Sequence, residues 1–466
     1  MISAPGRYLL AVDQKKAMRE RETEVRNISK QVGKRVTVVL IESGDRDDEW
    51  RSGLTTIRTS TSVRATVSAV PLLHDVEHII VMVTHEALKL ADLSEFVGWH
   101  LVIDETPSVL DQQVLRTTLS RDFFERHYQL RRHGRRSQIV SASRATAADM
   151  RRDSLTASVS VMHSRVLSER TTVLTDLRNW SDLGEAGEWT WASIWSPEQL
   201  TVFETRLILA NAFRRSLTYA VWSRMWPEIV WVDHRRLALR QYRRRKMTIR
   251  YFAALQPASR SLFSSDSGKE RLTATARWIA AHTDPERHIW SCNEADIPVI
   301  GAGLKEPARL SPRQAGSNTF ASATTVTILY TAKPSPAERG LFRDLDIDPM
   351  VATRTREYET IYQFVCRCAV RDPNSAEDLV VNVYDRQQAE YLHELFLDSG
   401  YVDATLELVD LGFGGTPPTP SKKRGPKAKA KTKSEIAADQ QRFREQARAR
   451  KQKQRARKRG VDLPPF

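Results

Sequence analysis

Short, β-branched apolar runs alternate with charged segments of helical period along most of this 466-residue chain, and this alternation limits the folds open to it. Apolar runs of about four to eight residues are typical of parallel strands buried on both faces, and parallel strands need helical crossovers between them. The sequence therefore predicts an α/β protein with two parallel-sheet domains. The predicted strands are RYLLAV (7–12), RVTVVLI (35–41), HIIVMV (78–83), WHLVID (99–104) and SQIVSAS (137–143) in the first domain, and MTIRYFAA (247–254), RHIWSC (287–292), TTVTILYTA (324–332) and DLVVNVYD (378–385) in the second.

Composition divides the chain further. Between the two sets of strands lies a segment without their alternation, and past Gly412 the sequence is dominated by Gly, Pro, Lys, Ala and Ser, which is typical of a disordered linker. The predicted regions are a first domain at 1–155, a connecting helical/β insert at 156–246, a second domain at 247–412 and a basic, disordered or partly helical tail at 413–466.

The predicted insert combines strand and helix signals. The stretches SLTASVSVMH and RTTVLTDL predict a hairpin, whereas bulky residues spaced three to four apart between Leu200 and Phe213 predict a buried helical face. Several tryptophans occur here, and we expect them to pack in the core rather than to stack on single-stranded bases. They are Trp180, Trp191, Trp195, Trp222, Trp226 and Trp231.

The basic charge is concentrated at the carboxyl end. The formal net charge is +15, but residues 421–466 contain 17 Lys and Arg against 4 Asp and Glu, which leaves 55 basic and 53 acidic residues elsewhere. A flexible basic segment releases counterions from phosphates, so it predicts salt-sensitive binding to nucleic acid; a solubilising tail or a contact to an acidic protein are the alternatives. The tail residues expected to contact nucleic acid are Lys422, Lys423, Arg424, Arg455 and Arg457.

Other features exclude several protein classes. No run of about 18 uncharged apolar residues occurs, so neither a membrane-spanning helix nor a membrane partner is expected. Asp13 interrupts the first apolar run, unlike in a signal peptide. The three cysteines form no CxxC pair, which argues against a disulfide framework and a zinc site. A cytoplasmic protein is expected.

An acidic couplet follows one predicted strand of the first domain. In LVIDETPSV (101–109), Asp104 and Glu105 come directly after the apolar run. Side chains at the carboxyl end of a parallel strand face the ligand crevice of an open α/β sheet. One carboxylate there can hold Mg²⁺, usually through water, and its neighbour can orient or deprotonate an attacking water. The alternative is an ordinary Asp-Glu turn.

A row of polar side chains occurs in the second domain, in YQFVCRCAVRDP (362–373). Gln363, Arg367 and Arg371 are spaced i, i+4, i+8, so a helix would place all three on one face. Arginine suits phosphoryl groups because its guanidinium is permanently charged and forked. The alternative is an exposed basic helix face.

These motifs together resemble those of superfamily 2 DEAD/DEAH-like helicases, over about residues 1–400. Thr84 and His85 at a strand end, then the DETP couplet, then Ser141 and Ser143 in SAS resemble motifs Ib, II and III in order. QAGSN, with Gly316, resembles motif V, and QFVCRCAVRD resembles motif VI. The stretches are closest to the degenerate motifs of bacteriophage helicase-like proteins, which would place the protein in the host cytoplasm. DETP departs from DEAD or DEAH only at positions that vary in the family.

The resemblance implies two RecA-like domains that hold ATP and Mg²⁺ between them and nucleic acid, with DNA preferred, across the top. It implies that ATP hydrolysis drives movement along strands or their separation. The acidic couplet and the arginine row are therefore expected to face each other over a shared cleft. In the roles that the resemblance implies, Asp104 holds Mg²⁺, Glu105 is the catalytic base, and Arg371 is an arginine finger with Arg367 and Gln363 beside it. Gly316 and Asn318 are expected to contact the nucleotide. Ser141 and Ser143 are expected to couple hydrolysis to domain movement, and Thr84 and His85 to contact nucleic acid.

One part of the helicase pattern has no counterpart in the sequence. A phosphate loop, GxxxxGK[ST], cradles phosphates with backbone N–H groups and would be expected before RYLLAVD. Gly33-Lys34 lacks a following Ser or Thr, and Gly268-Lys269 is followed by Glu270. Three explanations are open: a separate polypeptide or upstream reading frame carries the loop, the chain starts further upstream, or the architecture persists without ATP turnover.

Two other functions are weighed against an ATP-driven motor. The first is a catalytically inactive, DNA-binding protein that keeps the helicase fold. The second is a metal-dependent nuclease using the acidic couplet, which ranks last because no (D/E)xK continuation follows it.

Overall fold

The protein is described by a computed structural model, and all of the residues that it describes lie within residues 1–413, which form one compact unit. The basic tail from residue 414 onward and the predicted loop residues Gly316 and Asn318 lie outside the described part. The described residues are 1–43, 54–59, 63–117, 119–153, 156–176, 180, 188–234, 241–304, 309–312 and 320–413.

The described residues form three β-sheets, two parallel and one antiparallel. The strands are β1 Arg7–Val12, β2 Thr37–Ser43, β3 Leu54–Thr59, β4 Ile79–Thr84, β5 His100–Asp104, β6 Leu110–Arg116, β7 Tyr128–His133, β8 Arg136–Ser141, β9 Thr171–Thr175, β10 Glu188–Trp195, β11 Thr205–Leu209, β12 Arg245–Ala253, β13 His288–Cys292, β14 Thr325–Leu329, β15 Leu379–Asp385 and β16 Val402–Leu408.

Helices connect and cover these strands. A π-helical turn at Arg354–Tyr358 joins two α-helices of the second half into one continuous helical segment. No helix in the described ranges has the length and apolar character needed to cross a membrane. The α-helices span Lys15–Val32, Val63–Leu73, His85–Leu90, Arg121–His127, Ala147–Arg152, Ser160–Val166, Leu217–Met225, Arg260–Ser264, Asp266–Ala281, Ile297–Ile300, Pro336–Asp344, Pro349–Thr353, Glu359–Val365 and Arg386–Asp398.

Both parallel sheets have the character that the apolar runs predict. The first has the strand order β11-β5-β1-β4-β2-β3, and the second has the order β13-β14-β15-β12-β16. In β1 and β4, five of the six residues of each strand are buried, because helices cover both faces of a parallel sheet. The predicted fold class, α/β with two parallel sheets, is confirmed.

The antiparallel sheet changes the predicted organisation. Its order is β6-β10-β9-β8-β7, and it is inserted between β5 and β11 of the first parallel sheet. The segment SQIVSAS, predicted as a parallel strand, contributes to β8 of this sheet instead. In RSQIVS burial alternates from Arg136 to Ile139, with Ser137 and Ile139 buried, which is the pattern of a strand with one buried face. The sheet thus runs across the predicted domain boundary at residue 155.

Two predictions for the insert are wrong. SLTASVSVMH does not form a hairpin with RTTVLTDL, because its described part is helical, as a 3₁₀ turn at Ala157–Val159 and the α-helix Ser160–Val166. The buried helix predicted between Leu200 and Phe213 is largely replaced by β11, which pairs with β5. Helical spacing is ambiguous over so short an apolar run, and the left-handed backbone of Ala212 (φ 49°) interrupts any helix there.

The apolar core under the first sheet extends into the second half of the chain. Leu341 and Phe342, from helix Pro336–Asp344, belong to the same buried cluster as Trp195 and Trp222. The predicted core position of the tryptophans is confirmed for Trp180, Trp191, Trp195, Trp222 and Trp226, all buried, while Trp231 packs partly buried against the same cluster.

Candidate active site between the two parallel sheets

The acidic couplet lies at the carboxyl end of β5. Glu105 has a left-handed backbone (φ 71°), and its backbone N–H donates to the Leu209 carbonyl of β11 at 2.8 Å. Such a conformation is uncommon for a residue other than glycine, and residues in it concentrate at functional sites. This backbone conformation turns the chain at the carboxyl ends of the parallel strands, where Asp104 and Glu105 both line a cleft of about 580 Å³.

The arginine row lines the opposite wall of this cleft. Gln363 Nε2 donates to Glu105 Oε2 at 3.0 Å, although the two residues are 258 positions apart in the chain. Arg367 and Arg371 line the same cleft as the acidic couplet. The prediction that the couplet and the row face each other over a shared cleft is confirmed.

The local structure of the row differs from the predicted helix. The α-helix ends at Val365, Cys368 is extended (φ −84°, ψ −167°), and Arg371 lies in a 3₁₀ turn. The prediction that one helical face carries all three side chains is therefore wrong. Arg367 and Arg371 reach the cleft because the chain folds back after the helix.

A buried arginine holds this fold-back in place. Arg245, at the start of β12, is 3% exposed, and its guanidinium donates to the carbonyls of Ala369 at 2.6 Å and Asp372 at 2.8 Å. These two carbonyls flank the turn that carries Arg371. The periodicity of the sequence gives no sign of this contact, since Arg245 lies more than 120 residues away from it.

We expect Arg245→Met to lower the free energy of unfolding by about 3 kcal/mol, because two charge-assisted hydrogen bonds to the carbonyls of Ala369 and Asp372 are lost. The neighbouring Arg244 is the matched control: its side chain is 77% exposed and lies 3.8 Å from Asp403, so Arg244→Met should cost less than about 0.5 kcal/mol. Urea unfolding of both variants measures the difference. Equal stability of the two would contradict the assignment.

Burial and like charge perturb the ionisable groups of the cleft. Burial, followed by the charges of Asp104 and Glu359, raises the pKa of Glu105, and the hydrogen bond from Gln363 opposes this. Burial also raises the pKa of Glu359. On the other wall, burial and repulsion from Arg371 lower the pKa of Arg367 to about 10, so this guanidinium stays protonated at neutral pH. Shifted carboxyl pKa values in a cleft are typical of functional sites.

Two further hydrogen bonds cross the cleft. Asn211 Nδ2 donates to Glu359 Oε1 at 2.9 Å, and the backbone N–H of Leu217 donates to Thr355 Oγ1 at 2.7 Å. Asn211 is the second residue after β11 and was missed by the sequence prediction, which assigned a helix there. The signal that could have identified it is an apolar run followed by a small polar turn, LILANA, the signal that was read at SQIVSAS.

Arg21 is a second residue that the sequence prediction missed. It lies on the helix Lys15–Val32 after β1, and its Nε donates to Asp104 Oδ2 at 2.8 Å. Its position in a helix rich in charged residues gives no signal of this role.

The side chains that line the cleft fit Mg²⁺ better than they fit a whole triphosphate. Mg²⁺ is usually held by one or two carboxylates with waters and phosphates, so Asp104 and Glu105 suffice once Arg21 releases Asp104. No group of three or more His, Cys, Asp or Glu with metal-site geometry occurs in the described residues. Arg367 and Arg371 fit a terminal phosphate. Neither glycine nor lysine is among the described residues that line the cleft, so they supply no phosphate cradle of the P-loop kind.

The remaining predicted residues lie elsewhere. Thr84 caps the helix His85–Leu90 by accepting from the Ala87 N–H at 3.3 Å, and its contact with nucleic acid stays a prediction. His85 is 5% exposed and its Nε2 lies 3.0 Å from the Asp104 carbonyl oxygen, so its burial contradicts a direct contact with nucleic acid. It supports the end of β5 instead.

Ser141 and Ser143 form a local turn, in which Ser141 Oγ donates to the Ser143 carbonyl at 3.0 Å. Ser141 ends a strand of the antiparallel sheet, and neither serine is among the residues lining the cleft. Their coupling of hydrolysis to domain movement stays a prediction, and the polar turn residue that does line the cleft is Asn211.

The fold and the cleft together define a protein of two parallel sheets with acidic residues on one wall of a shared site and arginines on the other. No family model matches the chain, and no curated protein matches it. Two solved structures are similar over most of the chain. One is described as S. tokodaii Xpd4, with 10% identity, a TM-score of 0.42 and coverage of 86% of this chain and 90% of that one. The other is described as XPD helicase, with 10% identity, a TM-score of 0.47 and coverage of 88% and 92%.

Proposed function

We propose that this chain forms the core of a nucleic-acid helicase or translocase of the superfamily 2 type, in which the cleft binds Mg²⁺ and the terminal phosphates of ATP. The hydrogen bond between Gln363 and Glu105 carries the proposal, since it joins the acidic wall to the arginine wall at 3.0 Å. ATP hydrolysis at such a site changes the contacts between its two walls, and this can drive movement on DNA.

The roles follow from the chemistry of the side chains. Asp104 would hold Mg²⁺ once Arg21 releases it. Glu105, with its raised pKa, orients and deprotonates the attacking water. Arg371 and Arg367 stabilise the charge that develops on the transferring phosphoryl group, and Gln363 fixes the position of Glu105. Gly316 and Asn318 are proposed to contact the nucleotide.

The phosphate cradle is proposed to come from a segment outside this sequence, either a separate polypeptide or residues upstream of it. Within the described residues β11 pairs only with β5, which leaves its other edge open beside the acidic couplet. The Leu209 side chain at its end is 46% exposed. An open edge of this kind accepts an added strand through main-chain hydrogen bonds. A strand followed by a GxxxxGK[ST] loop would then deliver its phosphate-binding N–H groups to the cleft.

Measured ATP turnover tests the motor proposal. The full chain is assayed with Mg²⁺-ATP, both with and without single-stranded DNA. Each assay is done on the chain alone and on the chain together with the polypeptide encoded immediately upstream of it in the natural DNA. DNA-stimulated turnover in either preparation supports the proposal. No turnover in both preparations would overturn it.

One observation favours a second function, a DNA-binding protein that has kept the architecture without turnover. Arg21 donates a 2.8 Å hydrogen bond to the Asp104 carboxylate, and such an ion pair suits a structural role for Asp104. Under this alternative Arg21→Ala leaves the chain inactive toward ATP in every preparation. Under the motor proposal Arg21→Ala frees Asp104 for Mg²⁺, and turnover persists.

The basic tail is proposed to add sequence-independent affinity for DNA. We expect deletion of residues 413–466 to weaken DNA binding and to flatten its salt dependence, because up to 17 cationic side chains that release counterions are removed. Titrations of labelled DNA at several salt concentrations give the slope of log Kd against log salt. An unaltered slope would refute the role of the tail.

A further inference from the structure

The β-hairpin formed by β7 and β8 carries the most one-sided charge of the inserted sheet. Its residues 128–141, YQLRRHGRRSQIVS, include four arginines and no acidic residue. The strands pair from Tyr128 with Ser141 to His133 with Arg136, so only Gly134 and Arg135 form the turn. Gly134 has a φ of +58°, which glycine adopts without strain and which permits so tight a turn.

Two of the four arginines fix the tip of the hairpin. Arg136 Nε donates to Asp344 Oδ2 at 2.8 Å in an ion pair whose arginine side chain is 9% exposed. Arg135 Nη1 donates to the Arg343 carbonyl at 3.1 Å and lies 3.3 Å from Asp346 Oδ1. The tip is therefore anchored to the end of helix Pro336–Asp344, which also packs into the core of the first half.

Within the described residues the other two arginines have no such partner. Arg131 and Arg132 are exposed, and neither makes an ion pair within the described residues. The residues opposite them on β8 are Gln138 and Ser137, which carry no charge. Some exposed arginines elsewhere on the described surface pair with a carboxylate of their own helix. Examples are Arg26 with Glu22, Arg121 with Glu125 and Arg386 with Glu390.

The position of these two arginines on the strand suits a polyanion. Their strand, β7, is the last of the antiparallel sheet, so its outer backbone N–H groups face away from the sheet. Because successive side chains point to opposite faces of a strand, Arg131 and Arg132 flank this edge from its two sides. Guanidinium groups and backbone N–H groups are the donors that proteins use to bind nucleic-acid phosphates.

We propose that the β7–β8 hairpin is a nucleic-acid contact, in which Arg131 and Arg132 bind the phosphate backbone of a strand lying along the edge of β7 while Arg136 and Asp344 hold the hairpin in position. This contact is separate from the ATP chemistry of the cleft, so it can be measured without nucleotide. It is also separate from the basic tail, which is present in every variant compared.

The test measures DNA binding by the full chain that carries both Arg131→Gln and Arg132→Gln. Binding is measured as the fluorescence anisotropy of labelled oligothymidylate at several salt concentrations. We expect affinity about five- to tenfold weaker at moderate salt and a slope of log Kd against log salt smaller by about 1.4, since each lost contact to a single strand removes about 0.7. The substituted side chains are exposed, so thermal unfolding should be unchanged and confirms intact folding.

The matched control is the combination of Arg121→Gln and Arg126→Gln, two exposed arginines on the helix just before β7. We expect this variant to keep the affinity and salt slope of the parent chain. An unchanged slope in the hairpin variant would overturn the proposal, and so would equal losses in both variants. ATP turnover does not enter this result, so failure of the proposed motor function would leave it unaffected.

Discussion

Glu105→Gln is expected to reduce ATP hydrolysis by about a thousandfold while leaving the affinity for DNA unchanged. The amide keeps the size of the side chain and can still bond to Gln363 across the 3.0 Å contact. It cannot accept a proton from water, and loss of a positioned base typically costs about two to four orders of magnitude in rate. Single-turnover hydrolysis and DNA anisotropy, measured on the preparation that turns over ATP, separate the two effects.

The pH dependence gives a second readout for the same residue. A general base acts in its ionised form, and burial with the charge of Asp104 raises the pKa of Glu105 above the ordinary value of 4.5. The rate should therefore fall, as pH decreases, at a higher pH than an ordinary glutamate would produce. The surface variant Glu390→Gln, which removes a carboxylate paired with Arg386 outside the cleft, is the control and should match the parent. Full turnover in Glu105→Gln would remove Glu105 from the role of base.

Arg371→Lys is expected to lower the hydrolysis rate by about three orders of magnitude, although the charge is kept. An arginine that stabilises the charge on a transferring phosphoryl group contributes about 10³ to 10⁵ in rate. Lysine offers a compact ammonium in place of the planar fork, so it does not replace two parallel hydrogen bonds. The rate of the chemical step in single-turnover experiments measures the effect, and ATP affinity should change much less.

The control for this substitution is Arg386→Lys, at an exposed arginine paired with Glu390. It makes the same chemical change outside the cleft and should leave the rate unaltered. If Arg371→Lys retains the rate of the parent, then Arg371 does not act on the phosphoryl group. In that event Arg367, which interacts with the charge of Glu105, is the next residue to substitute.

The sequence predicted the elements whose signal is local. Continuous apolar runs identified most strands of both parallel sheets, since burial on both faces leaves no room for polar residues. The position of Asp104 and Glu105 at the end of such a run placed them at the cleft. The spacing of Gln363, Arg367 and Arg371 identified the opposite wall, although the chain leaves the α-helix after Val365.

For other elements the local sequence pattern is compatible with two different secondary structures or sheets. β11 has apolar residues spaced as in a helix, but it forms a strand because it pairs with β5, about 100 residues away in the chain. β8 was recognised as a strand, but the sheet to which it belongs depends on its one buried face, which only packing against the helices of the insert reveals.

By itself the sequence determined the α/β class, the acidic couplet and the arginines, because burial and residue chemistry are encoded within a few neighbouring positions. Only the tertiary structure decided which turns meet at the cleft, and it placed Asn211 there. It also revealed Arg21 on Asp104 and Arg245 behind Arg371. These contacts join residues 83 and 124 or more positions apart, and no periodicity encodes a hydrogen bond over such a distance in the chain.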